Sequence, residues 1–358
     1  MKPTIGMVLG TRPEVIKLAP LILRLRDAGW CRDLTVISGQ HGDLARQALA
    51  DWGLDASNMP PLPTGHADPL ELVDILASRL RALIAPLGLS IALVQGDTAT
   101  ALAGARAAAT LGIPVGHVEA GLRTYDLANP YPEEMYRQAI ALIAQLHFAP
   151  TAISEQNLLG EGIGTEQIAV TGNTVVDALL QRGPPLPATR TCQPLALVTL
   201  HRRELVPNLA SVLEGLRRVL ETNRDLRLLL PLHPNPTFAA PLRAGLGQHP
   251  RVSIVAPMAH SEFLELLPQV SVVITDSGGV QEEAATLGVP LVIVRRVTER
   301  PEVLENGRSM IAGFEPSAIQ DAVARVRALG PAPDYSCVLG DGSAAMRIEQ
   351  RLRLFLRA

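Results

Sequence analysis

The residues best suited to chemistry fall where short apolar runs end. Ile91–Gln95 leads into Gly96-Asp97-Thr98, and Val115–Val118 into Glu119-Ala120-Gly121-Leu122-Arg123, so an acid stands at each of two strand ends. Glu133 and Glu134 follow Pro130-Tyr131-Pro132 and open a helical stretch. There Glu134 reads as an ordinary partner of the helix dipole and Glu133 as a third candidate acid. Carboxylates gathered near an anion repel one another, so at least one is expected to hold its proton more tightly and to suit proton transfer. Cations accompany them. Gly10-Thr11-Arg12-Pro13-Glu14-Val15-Ile16-Lys17 runs from strand Ile5–Leu9 through a tight turn into a helix opening at Pro13. Unpaired backbone N–H groups at such a helix start hold phosphate, and Arg12 and Lys17 add full charges. Only Lys2 and Lys17 are lysine among the 32 basic residues, so lysine at 17 signals a compact point charge.

The second half carries a complementary set. Strand Leu195–Leu200 ends in His201-Arg202-Arg203-Glu204, and strand Leu226–Leu230 is followed by His233-Pro234-Asn235-Pro236. A histidine beside two arginines donates to phosphate oxygens and titrates in the range of a leaving-group acid. The remaining histidines, such as His66, His147, His249 and His260, lack such company and read as structural. Thr275-Asp276-Ser277-Gly278-Gly279-Val280-Gln281-Glu282-Glu283 passes from strand Val272–Thr275 into a helix. Ser277, Gly278 and Gly279 would offer backbone amides to a diphosphate, and Glu283, one turn on, could bridge ribose hydroxyls.

These residues need elements to place them. Short β-rich runs alternate with helical stretches: Ile5–Leu9, Leu34–Ser38, Ile91–Gln95, Val115–Val118, His147–Ala149 and Ile168–Thr171, then Leu195–Leu200, Leu226–Leu230, Val252–Val255, Val272–Thr275 and Leu291–Val294. Alternation of this kind predicts α/β domains with parallel sheets. A proline-rich, aperiodic stretch, Arg182-Gly183-Pro184-Pro185-Leu186-Pro187-Ala188-Thr189, marks a linker. The expected organisation is therefore two Rossmann-like domains facing a cleft: an N-terminal one over 1–181, a linker over 182–194, and a C-terminal one over 195–340. A last helix over 341–358, with Ile348, Leu352 and Phe355 at helical spacing, is expected to pack back on the first. Nearly every unusual polar cluster follows a strand, where ligands of open α/β sheets bind.

Composition narrows the function further. The 358 residues, 47% hydrophobic, are enough for two sizeable cores, and 32 basic against 35 acidic residues give a net charge of −3 without a basic stripe. No nucleic-acid or membrane partner is expected. Cys31, Cys192 and Cys337 are far apart and lack metal spacing, as befits reduced thiols. No secretory leader pattern or long apolar run is evident, and a cytoplasmic enzyme is expected.

Taken together, Gly10-Thr11-Arg12-Pro13-Glu14, Gly96-Asp97-Thr98, Gly116-His117-Val118-Glu119-Ala120-Gly121-Leu122-Arg123, Pro132-Glu133-Glu134, His201-Arg202-Arg203-Glu204, Asp276-Ser277-Gly278-Gly279 and Thr298-Glu299-Arg300-Pro301-Glu302 resemble the non-hydrolysing UDP-N-acetylglucosamine 2-epimerases. Thr171-Gly172-Asn173-Thr174 fits as well. The resemblance implies a glycosyltransferase-B type fold, a homodimer, and interconversion of UDP-GlcNAc and UDP-ManNAc without a cofactor or metal. The route it implies is elimination of UDP to 2-acetamidoglucal followed by re-addition. It makes Asp97, Glu119 and Glu133 the acid–base trio, with Arg12, Lys17 and His201 as candidates to stabilise departing UDP. It also puts Ser277, Gly278, Gly279 and Glu283 at diphosphate and ribose, Phe263 near the uracil, and Arg123, Arg202 and His233 at the UDP-sugar.

Several positions depart from the family pattern. Where many bacterial members build a regulatory UDP-GlcNAc site, this chain reads Gln40-His41-Gly42-Asp43 and His66-Ala67-Asp68-Pro69. An amide has become an acid and an arginine is lost, so allosteric activation is expected to be weak or absent. Leu205 and Tyr136 replace two asparagines, which bears on the sugar's identity. The rival readings are a hydrolysing epimerase, a 2-epimerase of another UDP-sugar such as a diacetamido-uronic acid, a glycosyltransferase of the same fold, and a binding module that has lost catalysis. Arg12-Pro13 and the intact acids argue against the first and the last.

Overall fold

In the computed structural model, which describes residues 2–58, 68–183, 193–232, 236–332 and 334–357, β-rich runs become two parallel sheets. The first holds β1 (Thr4–Leu9), β2 (Arg32–Ile37), β3 (Ser57–Asn58), β4 (Ile91–Gln95), β5 (Val115–Val118), β6 (Leu146–Ala149) and β7 (Ile168–Val170). Their order is β3-β2-β1-β4-β5-β6-β7, parallel throughout. The second holds β8 (Gln193–Thr199), β9 (Arg227–Pro231), β10 (Val252–Val255), β11 (Val270–Thr275), β12 (Leu291–Ile293) and β13 (Ser309–Ile311) in the order β10-β9-β8-β11-β12-β13, also parallel. In each sheet the chain builds outward from a central strand, then crosses to that strand's other side. The switch points fall between β1 and β4 and between β8 and β11, and such points are where open α/β sheets bind ligands. This is the architecture of the glycosyltransferase-B type, with two Rossmann-like units.

Both faces of the first sheet are covered. Met7 and Leu9 of β1 feed one core and Val8 the other, which is why these strands read as unbroken apolar runs. The alanine-rich helix Ala99–Thr110 lies close against the sheet. A Cβ on its Gly104 would come within 2.9 Å of Val8 Cγ1, so only glycine permits this approach of the helix that begins just after Asp97.

The chain divides into one unit of residues 1–181 with 340–358 and another of 182–339. The final helix, Ala344–Phe355, thus belongs to the first unit. Ile348 and Leu352 sit in its core, each burial contributing roughly 1.5–3 kcal/mol. Buried Asp177 accepts from the Ala344 and Ala345 amides and caps the helix start, and Gly340 lies against the Gly172 backbone, which explains why Gly340 joins this unit rather than the second. Of the expected linker, Arg182 still ends the helix Thr174–Arg182 and Gln193 already pairs with Val270, while 184–192 lie outside the described residues. The two strands absent from the sequence reading, β3 and β13, are two and three residues long.

Candidate active site

The turn after β1 is shaped by Glu14, a residue the sequence reading quoted but gave no role. Its Oε2 accepts from the Gly10 amide (2.9 Å), the Thr11 amide (2.6 Å) and the Thr11 hydroxyl (2.8 Å), while Oε1 accepts from Thr98 Oγ1 (2.6 Å). The carboxylate therefore ties the β1 loop to the β4 loop across the switch point. Burial pushes its carboxyl above the ordinary value of 4.5 despite these donors. Gly10 must be glycine, since a Cβ would collide with Thr100 and Ser38. Arg12 remains exposed beside the turn.

Lys17 and Glu119, 102 residues apart, meet in a buried ion pair with Nζ 2.6 Å from Oε2. Lys17 is thus held by a carboxylate, whereas the sequence reading had it facing phosphate. The Gln95 amide also donates to Glu119 Oε2. Glu119 itself adopts φ 66°, a left-handed conformation costing of order 1–3 kcal/mol for a non-glycine residue and concentrated at functional sites. Its Oε2 lies 3.9 Å from where a Cβ would stand on Gly96, so the loops bearing Asp97 and Glu119 adjoin. Asp97 accepts from Arg137 Nη1 at 2.5 Å, and Arg137, wholly buried, also donates through Nε and Nη2 to Glu134. Arg137 was missed because its role depends on an acid 40 residues away. Glu134 accepts further from the Thr124 and Tyr125 amides. Arg137 and these donors hold its carboxyl below the usual range against the opposing effect of burial. Glu133 opens the helix Glu133–Ile143, half-buried. Arg123, expected at the UDP-sugar, instead spends its guanidinium in a bidentate pair with Glu161 (2.6 and 2.7 Å).

At the second switch point the central residue is Asp276. Its buried carboxylate accepts from the His201 amide (2.8 Å) and the Arg202 amide (2.7 Å) and lies 3.2 Å from His201 Nδ1. Burial alone would raise its carboxyl, but His201 and these amides hold it below the ordinary 3.8. Asp276 thereby aligns the His201 ring and the start of the Arg202 loop, a role its place in the Asp-Ser-Gly-Gly motif did not reveal. Ser277 does not offer its amide to a ligand as expected, because Thr275 Oγ1 accepts it at 3.0 Å. The helix Gly278–Thr286 follows, and its first amides lack intrahelical acceptors. A Cβ on Gly278 would strike the Arg300 guanidinium, whereas Gly279 faces open space.

Beneath this loop runs a chain of buried ion pairs. Arg300 pairs with Glu282 and Glu299, and Arg295 with Glu299 (2.7 Å) and Glu204 (2.6 Å). Arg295 loses hydration, yet Glu299 and Glu204 keep it more firmly charged than usual. The Thr298–Glu302 motif and Glu204 therefore scaffold the glycine loop. Glu283 lies 2.7 Å from His260 Nε2, so His260, read as solitary, aligns the very carboxylate expected at the ribose. Phe263 is buried on the same short helix, His260–Leu266. His233 lies outside the described residues.

The departures can also be placed. Gln40 accepts from the Thr100 amide and hydroxyl, Asp43 pairs with Arg46, and Asp68 caps the helix Pro69–Ile84, while His66 and Ala67 lie outside the described residues. Tyr136 is buried with its hydroxyl donating to the Pro69 carbonyl, and Leu205 is buried in the second unit's core.

The profile of the family described as UDP-N-acetylglucosamine 2-epimerase matches residues 24–353. The Escherichia coli UDP-N-acetylglucosamine 2-epimerase is 34% identical, with 97% of each chain covered. Among solved structures, the Neisseria meningitidis UDP-GlcNAc 2-epimerase bound to UDP-GlcNAc superposes with a TM-score of 0.88 at 31% identity, covering 98% of this chain and 99% of that one. The Methanocaldococcus jannaschii UDP-GlcNAc 2-epimerase in complex with UDP-GlcNAc and UDP gives 0.85 at 32%, with the same coverage. With full-length matches of this kind, the chain belongs to the UDP-N-acetylglucosamine 2-epimerase family.

Proposed function

We propose that the protein interconverts UDP-GlcNAc and UDP-ManNAc by inversion at C2 of the sugar. The observation that carries this reading is the pair of acids on adjoining loops, each held by its own buried cation: Asp97 by Arg137 and Glu119 by Lys17. The C2 proton has no neighbouring carbonyl to acidify it, so loss of UDP drives the chemistry. One carboxylate takes the C2 proton as the C1–oxygen bond to UDP breaks, leaving 2-acetamidoglucal. UDP then re-adds at C1 while a second group delivers a proton to the opposite face of C2. Asp97, Glu119 and Glu133 are the acid–base candidates. Arg12 and His201 stabilise charge on departing UDP, His201 in the orientation Asp276 imposes, and Lys17 holds Glu119 in place.

Arg202, Gly278 and Gly279 suit the diphosphate, Glu283 the ribose and Phe263 the uracil, with His233 and the hydroxyl of Ser277, whose amide is engaged by Thr275, completing the UDP-binding set. We assign Arg123 to framing the β5 loop. Tyr136 and Leu205, which stand in place of two asparagines, both turn into packed cores, and the substrate test below separates UDP-GlcNAc from a diacetamido-uronic acid. Allosteric activation should be weak or absent, since Gln40 is engaged by Thr100 and Asp43 stands where an amide would serve. A cytoplasmic homodimer completes the proposal. No described helix is long and apolar enough to cross a membrane, and light scattering checks the assembly.

Proton NMR of UDP-GlcNAc incubated with the protein in D₂O tests the reading. UDP-ManNAc with deuterium at C2 is expected. Free ManNAc with UDP would move the chain to a hydrolysing reaction, and unchanged UDP-GlcNAc would exclude this substrate.

A further inference from the structure

We propose that His117 is a positioning residue for Asp97, acting through the carbonyl of Gly96. Its Nε2 lies 2.8 Å from Gly96 O, and because a carbonyl only accepts, the ring must carry its proton on Nε2. The Gly96 amide in turn donates to Val118 O at 3.0 Å. Two consecutive residues of β5 therefore grip both polar groups of the glycine that turns, at φ 67°, from β4 into Asp97. The residue that follows β5 is Glu119. Gly96 consequently fixes the spacing of two reacting acids, and His117 fixes Gly96.

Packing alone does not account for a histidine here. The ring is buried, and its Nδ1 has no hydrogen-bond partner among the described residues, a cost an apolar side chain would avoid. The Nε2 bond is what the histidine contributes. Burial, with His147, Arg123 and Arg137 nearby, pushes the ring down to about 3, so it stays a neutral donor at any assay pH and exchanges no proton with substrate. This role rests on the 2-epimerase reading above.

The test compares H117F, which keeps the ring and removes the donor, with H117Q, whose amide reaches the Nε2 position. H117F is expected to lower kcat about 10- to 100-fold, as small misplacements of a reacting group do, with KM and UDP affinity within about 2-fold of wild type. H117Q is expected to recover most of the loss. Unchanged kcat in H117F would overturn the proposal. So would an equal fall in both variants accompanied by lost UDP affinity and lower Tm, which marks a merely structural side chain. Should H117F not fold, H117N, an amide one bond too short, replaces it. Amide exchange at Gly96 and Asp97 needs no substrate and stays informative if wild type fails to turn over UDP-GlcNAc. Acceleration of roughly 10-fold in H117F but not H117Q is expected, and unaltered protection would sink the idea.

Discussion

The two units use the same switch point for opposite purposes. Between β1 and β4 the Asp97 side chain is 25% exposed, while Glu119, 3% exposed, is strained and held by Lys17 and Gln95. Between β8 and β11, charge is consumed internally. The Asp276 side chain is 0% exposed, Glu282, Glu299 and Glu204 are committed to Arg300 and Arg295, and what the loop offers is backbone N–H at Gly278 and Gly279. Movable protons need titratable groups with some access, while a diphosphate needs donors that never change charge. On the proposed function, the contrast separates a place for reaction from a place for holding the nucleotide.

The widest gap between the units should appear in kinetics. D97N and E119Q each remove an acid–base group while keeping shape, and are expected to lower kcat by roughly 10²- to 10⁴-fold with UDP affinity within about 2-fold. Isothermal titration with UDP checks the second half. If affinity collapses too, the first switch point also holds nucleotide and the separation fails.

A change in the second unit should do the reverse. R295M removes the cation between half-buried Glu204 and buried Glu299, which keeps Arg300 as a partner, and is expected to cost at most about 3 kcal/mol of stability, the lower end for breaking a buried pair. UDP affinity should fall with it as the glycine loop loses its support. Urea unfolding and UDP titration measure both, and stability close to wild type would show that the buried pairs contribute little.

How much of this was legible beforehand follows from the length of the interactions. Acids and histidines at strand ends announce themselves, because hydrophobic periodicity locates the strand and the next few residues follow. Partners far along the chain do not. Arg137 for Asp97, Asp276 for His201, His260 for Glu283 and Glu161 for Arg123 lie 40, 75, 23 and 38 residues away, and only the fold brings them together. The strands β3 and β13 escaped notice for the complementary reason: two or three residues carry no periodicity.

A smaller effect sharpens the comparison through pH. Glu14 and Asp276 organise the two loops, yet burial raises one and hydrogen bonds lower the other. Asp276, whose folded pKa is depressed, contributes stability that is complete above 3.8 and disappears as pH falls through its lowered value. D276N should therefore cost about 1–3 kcal/mol at neutral pH and progressively less in acid. Glu14, whose folded pKa is raised, contributes most below 4.5 and loses that share as pH rises through its folded value. E14Q should accordingly gain on wild type with increasing pH. Urea unfolding between pH 2 and 8 should show the D276N difference shrinking below 3.8 and the E14Q difference shifting above 4.5, with slopes of opposite sign, and parallel slopes would mean the two loops are organised alike.

The smallest expected effect lies at Thr98, where both arguments about the first unit meet. Its hydroxyl accepts from the Ala101 amide at 3.0 Å, capping the helix that starts beside Asp97, and donates to Glu14 at 2.6 Å. T98A removes both bonds, and the lost cap alone predicts about 1 kcal/mol in unfolding free energy. Because the cap sits one residue from Asp97 and Glu14 ties it to the β1 turn, kcat should drop several-fold while UDP affinity holds. T98S keeps the hydroxyl and should restore both quantities. A stability loss with undiminished kcat would show that Asp97 is aimed by the β5 contacts to Gly96 alone, leaving the Glu14 bridge a matter of folding.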